Sequence, residues 1–218
     1  MNTVKVLFIF FFSIPFLVSC ADDIDDNIVS APSDFYYLGE LPIPFYTNGN
    51  TDFPNIDWGN ESGIFTLNDN YQGVSINSST GVLTWNEDLP LGENIISVTA
   101  TNTAGFAVTS VLFLHQFGGE FTGGYNSDPG STTVPVSNLF INFNVNGTLS
   151  ITDNGETGTG TWSFNPQGAL VCEYTVTSGS YELIYDLTYS VAINPILVGY
   201  KKVVGSAVNS GYSRMEYE

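Results

Sequence analysis

Apolar and polar residues alternate one by one along much of the chain, which is the period of a half-buried β-strand. The clearest examples are residues 96–102, 138–144 and 172–176. Short groups of Gly, Asn, Ser and Pro separate such stretches, and these are the residues that tight turns require. The many aromatic, Thr, Val and Ile residues also suit sheet rather than helix. The pattern therefore predicts an all-β chain.

Residues 30–115 are predicted to form a first β module. Its opening is rich in Pro, which lacks a backbone donor and favours edge strands. Residues 73–112 resemble the Ig-like and cadherin-like repeats of bacterial surface proteins, because a Ser-Thr-Gly-Val-Leu-Thr-Trp turn is followed by a Gly turn, a Val-Thr-Ala-Thr-Asn strand, an Ala-Gly turn and a last strand. The resemblance implies an Ig-like β-sandwich with Trp85 packed in its core.

Residues 116–218 are predicted to form a second module of about eight short strands joined by tight turns, which favours a small antiparallel up-and-down β-barrel. Asn146-Gly147 marks a hairpin. A two-residue loop would place Leu149 on the face opposite Phe143. A three-residue loop at 145–147 pairs these two residues instead and is preferred, because a slip of one position would expose a whole apolar row.

A further turn is predicted at Gly179-Ser180. It gives one face to a set of apolar side chains: Cys172, Tyr174, Val176, Leu183, Tyr185 and Leu187. It gives the opposite, solvated face to three acids: Glu173, Glu182 and Asp186. One apolar and one polar face is what a closed antiparallel sheet needs. Cys172 is accordingly predicted to be a small buried side chain rather than a nucleophile.

Four short motifs of the second module resemble lipocalin-like C-terminal domains. They are the Phe-x-Gly-x-Tyr of residues 121–125, the Asn-Gly-Thr-Leu of 146–149, the Gly-Thr-Trp of 160–162 and the Gly-Tyr-Ser-Arg-Met of 211–215. Such domains follow Ig-like domains in lipoproteins of the Bacteroidetes, some of them from polysaccharide-utilisation systems. The module is shorter than a typical lipocalin, so a roomy interior cavity does not follow from the resemblance.

The N-terminal residues follow a different pattern. Lys5 precedes an apolar run that ends at Phe16, and Leu-Val-Ser-Cys follows at 17–20. A basic start, an apolar run and small residues make a secretory signal, and the last four residues resemble the bacterial lipobox. The resemblance implies a signal peptide at 1–19, cleavage before Cys20 and diacylglyceryl attachment there. The apolar run is too short to span a membrane.

Residues 20–29 form an acidic linker in this interpretation, with four acids close behind the lipid: Asp22, Asp23, Asp25 and Asp26. The segment resembles the export signal of Bacteroidetes surface lipoproteins, which implies a protein held by lipid on the outside of the outer membrane. The alternative is a solvated linker that is extended because its charges repel each other.

Composition limits the function classes. The formal net charge is −18 with only four Lys and Arg residues, whereas phosphate binding needs clustered cations, so we expect no nucleic-acid partner. With one His and two Cys, any Ser-His or Cys-His catalytic pair would have to include His115. A zinc site needs several His or Cys ligands, so we expect none. We expect no enzyme and no cofactor. The exception considered is Ca²⁺ bound by loop acids such as Asp52, Asp57 and Asp69.

The leading hypothesis is a non-enzymatic, lipid-anchored outer-membrane surface protein that binds a glycan or another polar ligand as an accessory to uptake by outer-membrane transport proteins. Sugar rings stack on aromatic side chains, and five of these are candidates for ligand binding: Tyr46, Trp58, Trp162, Tyr185 and Tyr200. The alternative is a structural spacer or a subunit of an envelope complex. A third hypothesis is a hydrolase with two inward-pointing carboxylates.

Overall fold

The computed structural model describes residues 28–126, 137–208 and 211–218. These residues form strands and turns, so the chain is all-β as predicted. Within the described ranges, no helix has the length and hydropathy needed to cross a membrane. Cys20 and the acids Asp22, Asp23, Asp25 and Asp26 lie outside the described residues, and their roles stay predictions.

Nine strands precede the junction near residue 117: β1 Ser33–Tyr36, β2 Leu41–Pro44, β3 Gly49–Asn50, β4 Asn55–Asp57, β5 Ile64–Leu67, β6 Val74–Ile76, β7 Leu83–Trp85, β8 Gly92–Asn102 and β9 Gly105–Gln116. Eight strands follow it: β10 Gly119–Tyr125, β11 Ser137–Phe143, β12 Thr148–Asp153, β13 Glu156–Phe164, β14 Leu170–Val176, β15 Gly179–Ser190, β16 Ile193–Val203 and β17 Gly211–Tyr217.

The first nine strands build a β-sandwich. One sheet has the order β2-β9-β8-β5, with β2 parallel to β9, and a second sheet has the order β3-β7-β6. Alternate residues of β8, including Ile96 and Val98, are fully buried with Phe113 of β9 and Leu83 of β7. Trp85 packs edge-to-face on Phe113 at a centroid distance of 5.5 Å. The Ig-like sandwich is therefore confirmed.

The last eight strands close into an antiparallel barrel in which each strand pairs with the next and β17 returns to β10. Phe143 pairs with Leu149 across the predicted three-residue loop, and Gly147 has the left-handed φ of 83° that this loop needs. The up-and-down barrel and the register of this hairpin are confirmed.

The turn predicted at Gly179-Ser180 lies two residues earlier, at residues 177–178, because Val176 pairs with Gly179. Cys172 consequently faces Leu183 rather than Leu187. A displacement of four positions is even, so every side chain keeps the predicted face of the sheet. Glu173 accordingly lies on the outside of the barrel, paired with Glu182, which binds Lys202 at 2.7 Å.

Side chains fill the interior of the barrel. Tyr185 has no exposed surface, and its hydroxyl lies 2.7 Å from Ser213 Oγ, which itself donates to the carbonyl of Gly124 at 2.9 Å. Cys172 is equally buried, as predicted. The centre of the barrel is therefore a packed core with its own hydrogen bonds.

The two modules are joined by a short connection and by a shared core. Only residues 117–118 separate β9 from β10. Phe45, which follows β2 of the sandwich, is 3% exposed and belongs to the barrel core. Its ring contacts Phe117 at 5.0 Å, Tyr189 at 5.3 Å and Tyr217 at 5.5 Å, measured between centroids. The sandwich thus supplies the aromatic plug that closes one end of the barrel.

Candidate functional site

An open cleft of about 520 Å³ lies where the two modules meet. The sandwich, the connection and the barrel all contribute to its wall. The lining residues are Leu91, Gly92, His115, Phe117, Trp162, Phe164, Gly168, Leu187 and Tyr189. We refer to this space as the junction cleft. Its volume and its mostly apolar wall are those of a site for a small molecule.

Two aromatic side chains of β13 form the barrel side of the junction cleft. Trp162 and Phe164 are two positions apart, so they lie on the same face of the strand. The indole of Trp162 donates a hydrogen bond to the carbonyl of Asn144 at 2.9 Å, which fixes the ring. Phe117 packs edge-to-face against both rings, at 5.1 Å and 5.4 Å. The aromatic wall is therefore held in place before any ligand arrives.

His115 is the polar side chain that the sandwich contributes to the junction cleft. It is 2% exposed, and its Nδ1 lies 2.8 Å from the carbonyl of Leu89. A carbonyl only accepts, so Nδ1 carries the proton and Nε2 of the neutral ring is an acceptor. Burial lowers the pKa of His115 and keeps the ring neutral. Nε2 is buried and has no hydrogen-bond partner.

Two hydrogen bonds near the junction cleft join the modules. Tyr189 donates from its hydroxyl to the carbonyl of Leu89 at 3.3 Å, and the amide of Val191 donates to Asp88 Oδ1 at 2.9 Å. Burial raises the pKa of Tyr189, so its hydroxyl stays protonated as a donor. The position of the barrel wall relative to His115 is thereby fixed by hydrogen bonds as well as by Phe45.

A second, more polar groove of about 320 Å³ lies on the sandwich. Amide, hydroxyl and aromatic side chains line it, among them Asn70, Tyr71, Gln72, Trp85 and Asn86. The indole nitrogen of Trp85 is buried without a hydrogen-bond partner. We refer to this surface as the sandwich groove. It is smaller than the junction cleft and its lining is more polar, so a ligand would bury less apolar surface there and gain less hydrophobic stabilisation.

A buried ion pair lies at the end of the barrel away from the sandwich. Lys201 is 5% exposed and binds Asp153 Oδ2, which also accepts a hydrogen bond from Tyr174 at 2.6 Å. The ammonium group lies 4.0 Å from the ring centroid of Tyr125 and 3.9 Å from that of Tyr181. The pair is enclosed by side chains of the barrel and acts as part of its core.

The structure places the five candidate ligand-binding aromatics in different surroundings. Trp162 lines the junction cleft. Tyr46 lies at the same junction, where its hydroxyl donates to the carbonyl of Ser190 at 3.1 Å. Trp58 packs on Phe65 at 5.0 Å in the sandwich core.

The other two candidates lie away from the junction cleft. Tyr185 is enclosed in the barrel, and burial raises the pKa of its phenol. Tyr200 lies on the outside of the barrel wall, because its neighbours Gly199 and Lys201 in β16 alternate with it and Lys201 is inside. The structure therefore does not bring the five aromatics together into one site.

The acids considered for metal binding do not come together either. Among the described residues, no group of three or more His, Cys, Asp or Glu side chains could hold a metal ion. Asp57 and Asp69 accept hydrogen bonds from nearby backbone amides, Gly59 and Asn70 respectively. These are the local contacts of turn residues.

Most of the wall of the junction cleft consists of residues that the sequence did not single out. Phe117, Phe164, Leu187 and Tyr189 are not among the candidate ligand-binding residues, and neither is His115. One signal is visible in the sequence: Phe164 stands two positions after the candidate Trp162, so the two side chains share one face of a strand. Phe117 stands in the predicted boundary between the modules, where a cleft between them has to be lined.

Comparison with known proteins gives a likeness of fold. No protein-family model matches the chain, and no curated protein matches its sequence. Among solved structures, the crystal structure of the human protocadherin-24 EC1-2 fragment aligns with 87% of this chain and covers 96% of the fragment. The identity is 10% and the TM-score is 0.40. A likeness at this level carries no functional inference.

Proposed function

We propose that this chain is a non-enzymatic binding protein, tethered by lipid on Cys20 to the outer surface of a bacterial outer membrane of the Bacteroidetes type, and that the junction cleft is its ligand site. The ligand is a glycan or another polar compound that presents an apolar face. In this role the tether raises the effective concentration of the site near an outer-membrane transport protein.

The observation that carries the ligand site is the fixed aromatic wall beside a polar atom without a partner. Trp162 and Phe164 offer ring surface of the kind on which sugars and other flat compounds stack. His115 supplies an acceptor whose capacity is unused. Buried polar atoms are nearly always hydrogen-bonded, and one that is not, in the wall of a cleft, is typical of a binding site.

The first experiment tests ligand binding. A chain that begins at Asp22 keeps every described strand and both cores, and it can be screened against neutral polysaccharides by affinity electrophoresis and calorimetry, with and without Ca²⁺. We expect saturable binding that Trp162→Ala weakens at least tenfold. The matched control is Tyr71→Ala in the sandwich groove, which should leave the affinity unchanged.

The reverse result, with affinity lost in Tyr71→Ala and retained in Trp162→Ala, would move the site to the sandwich groove. Absence of binding to every compound would refute the ligand-binding role.

The proposed attachment to the membrane is tested separately on the full chain, in cells fed a labelled fatty acid. Cys20→Ala should abolish labelling and release the protein from the membrane fraction, and external protease should digest the wild-type protein on intact cells.

The second candidate function is that of a subunit of an envelope protein complex, and one observation favours it. The outer face of the four-stranded sheet carries apolar side chains that are half to two-thirds exposed: Ile64, Ile95, Phe106 and Val108. Ile64 and Phe106 flank Thr101 directly across the strands. Exposed apolar patches mark protein contacts. Capture of a partner by the wild type and by Trp162→Ala, but not by Phe106→Asp, would support this function.

A further inference from the structure

We infer that the junction cleft selects an uncharged ligand that lays a flat apolar face against Trp162 and Phe164 and donates a hydrogen bond from a hydroxyl group to Nε2 of His115. This inference rests on the proposed ligand site and adds the chemical class of the ligand. It also assigns a role in specificity to the only histidine of the chain.

The lining of the junction cleft indicates that the ligand is uncharged. None of the nine described residues that line the junction cleft is an acid, a lysine or an arginine. An ion that enters an apolar cleft loses its hydration and finds no partner there, which is strongly unfavourable. An anion is also repelled by the chain as a whole, whose formal net charge is −18.

The protonation of His115 indicates that the ligand donates a hydrogen bond. The Leu89 carbonyl holds the proton on Nδ1, so Nε2 offers a lone pair and needs a donor. Tyr189 cannot supply it, because its hydroxyl donates to the same carbonyl at 3.3 Å. His115 lines the cleft, yet its Nε2 is buried and has no hydrogen-bond partner. A ligand hydroxyl that reaches Nε2 from the cleft therefore satisfies an atom that nothing else in the described structure satisfies.

The geometry of the aromatic wall indicates that the ligand contains a ring with an apolar face. Trp162 and Phe164 lie with their centroids 6.1 Å apart and their planes at 81°. Two nearly perpendicular rings form a corner, which contacts one face and one edge of a flat ring. A neutral pyranose and an aromatic or alicyclic alcohol share the required chemistry, namely a ring with an apolar face and a hydroxyl at its edge.

The test uses two probes with the same naphthalene ring, 2-naphthol, which has a hydroxyl donor, and its methyl ether 2-methoxynaphthalene, which has none, together with a neutral sugar, methyl β-glucoside. The chain beginning at Asp22 is labelled with ¹⁵N in its imidazole, and His115 alone gives the signals. We expect 2-naphthol to bind about fivefold more tightly than its ether, which corresponds to about 1 kcal/mol or one neutral hydrogen bond. The Nε2 resonance should move with 2-naphthol and stay in place with the ether.

Variants separate the roles of the two walls. Trp162→Ala should weaken both naphthalene probes by the same factor, and His115→Phe should abolish only the preference for 2-naphthol. The exposed Phe53→Ala in the sandwich should change neither affinity. Because His115→Phe also removes a donor to Leu89, the ¹⁵N measurement on the wild type decides the question if this variant does not fold.

The outcomes are distinct. Movement of the Nε2 resonance by the glucoside identifies a neutral sugar as the ligand class, and movement by 2-naphthol alone identifies an aromatic or alicyclic alcohol. Equal affinity for both naphthalene probes with an unmoved resonance overturns the assignment to His115 and leaves the cleft as a binding site. Failure of all three probes to bind overturns this inference, and survival of the cleft as a site would then depend on the polysaccharide screen.

Discussion

Replacement of Phe45 by Ala tests whether the two modules share one core. The side chain is 3% exposed and touches rings of the connection and of three barrel strands, including Phe121 at 6.3 Å. Loss of a buried Phe side chain costs its transfer free energy and leaves a cavity, together about 3–5 kcal/mol. Because Phe45 couples the two cores, we expect the wild type to unfold in one transition and Phe45→Ala to unfold in two.

The assay is urea unfolding of the chain beginning at Asp22, followed by tryptophan fluorescence and far-UV circular dichroism. Phe53→Ala is the matched control: it removes the same side chain from the same module, but Phe53 is 71% exposed, so a change within about 0.5 kcal/mol is expected. A loss below about 1 kcal/mol in Phe45→Ala, with a single transition retained, would refute the shared core.

Three further predictions concern buried polar groups. Lys201→Met leaves the Asp153 carboxylate buried without its cation, so the free energy of unfolding should fall by about 3–5 kcal/mol; a double variant that also carries Asp153→Leu should regain most of this, and equal stability of the single and double variants would contradict the argument. Burial holds the pKa of His115 below its ordinary value, so the unfolded chain binds the proton first as pH falls below about 6.5. Stability should therefore fall from pH 7 to pH 5, more steeply in the wild type than in His115→Gln, whereas parallel profiles would contradict the depressed pKa. Burial raises the pKa of Cys172, so this thiol should react with a disulfide reagent only in urea, and rapid reaction of the folded chain would contradict its burial.

The pattern of alternation was sufficient to predict which face each strand buries. In the hairpin at 145–147, pattern and turn chemistry agreed, and the pairing of Phe143 with Leu149 is confirmed. At Gly179-Ser180 the turn was placed two residues late, yet Cys172 and Leu183 still share the inner face. Alternation has a period of two, so it cannot distinguish registers that differ by an even number of residues.

The period of two also explains why Tyr185 was wrongly placed among the candidate ligand-binding residues. Tyr185 and Tyr189 both lie on the inner face of β15, but Tyr185 is buried in the middle and Tyr189 lines the junction cleft. Position along the barrel axis depends on register and strand tilt, which alternation does not report.

One hairpin could have been predicted from the sequence but was not. Asn154-Gly155 is a hairpin signal, and the chain turns there with φ of 49° at Asn154 and 90° at Gly155.

The position of Phe45 could not be predicted from local pattern. Its contacts with Phe117 and Tyr217 join residues far apart in the sequence and belong to different modules. Contacts of this kind depend on how two complete modules meet, which neither composition nor periodicity encodes. The junction cleft is formed by the same meeting, so it shares this limit.

The plug at Phe45 has a consequence for how such a chain can be rearranged in evolution. Domains are exchanged at the connections between them, and residues 117–118 are the connection between the two modules. A barrel transferred from this point alone would leave behind the aromatic ring that fills its open end. We expect the barrel to be inherited together with the segment around Phe45, so that the pair of modules, rather than either one alone, is the unit that can be shuffled among proteins.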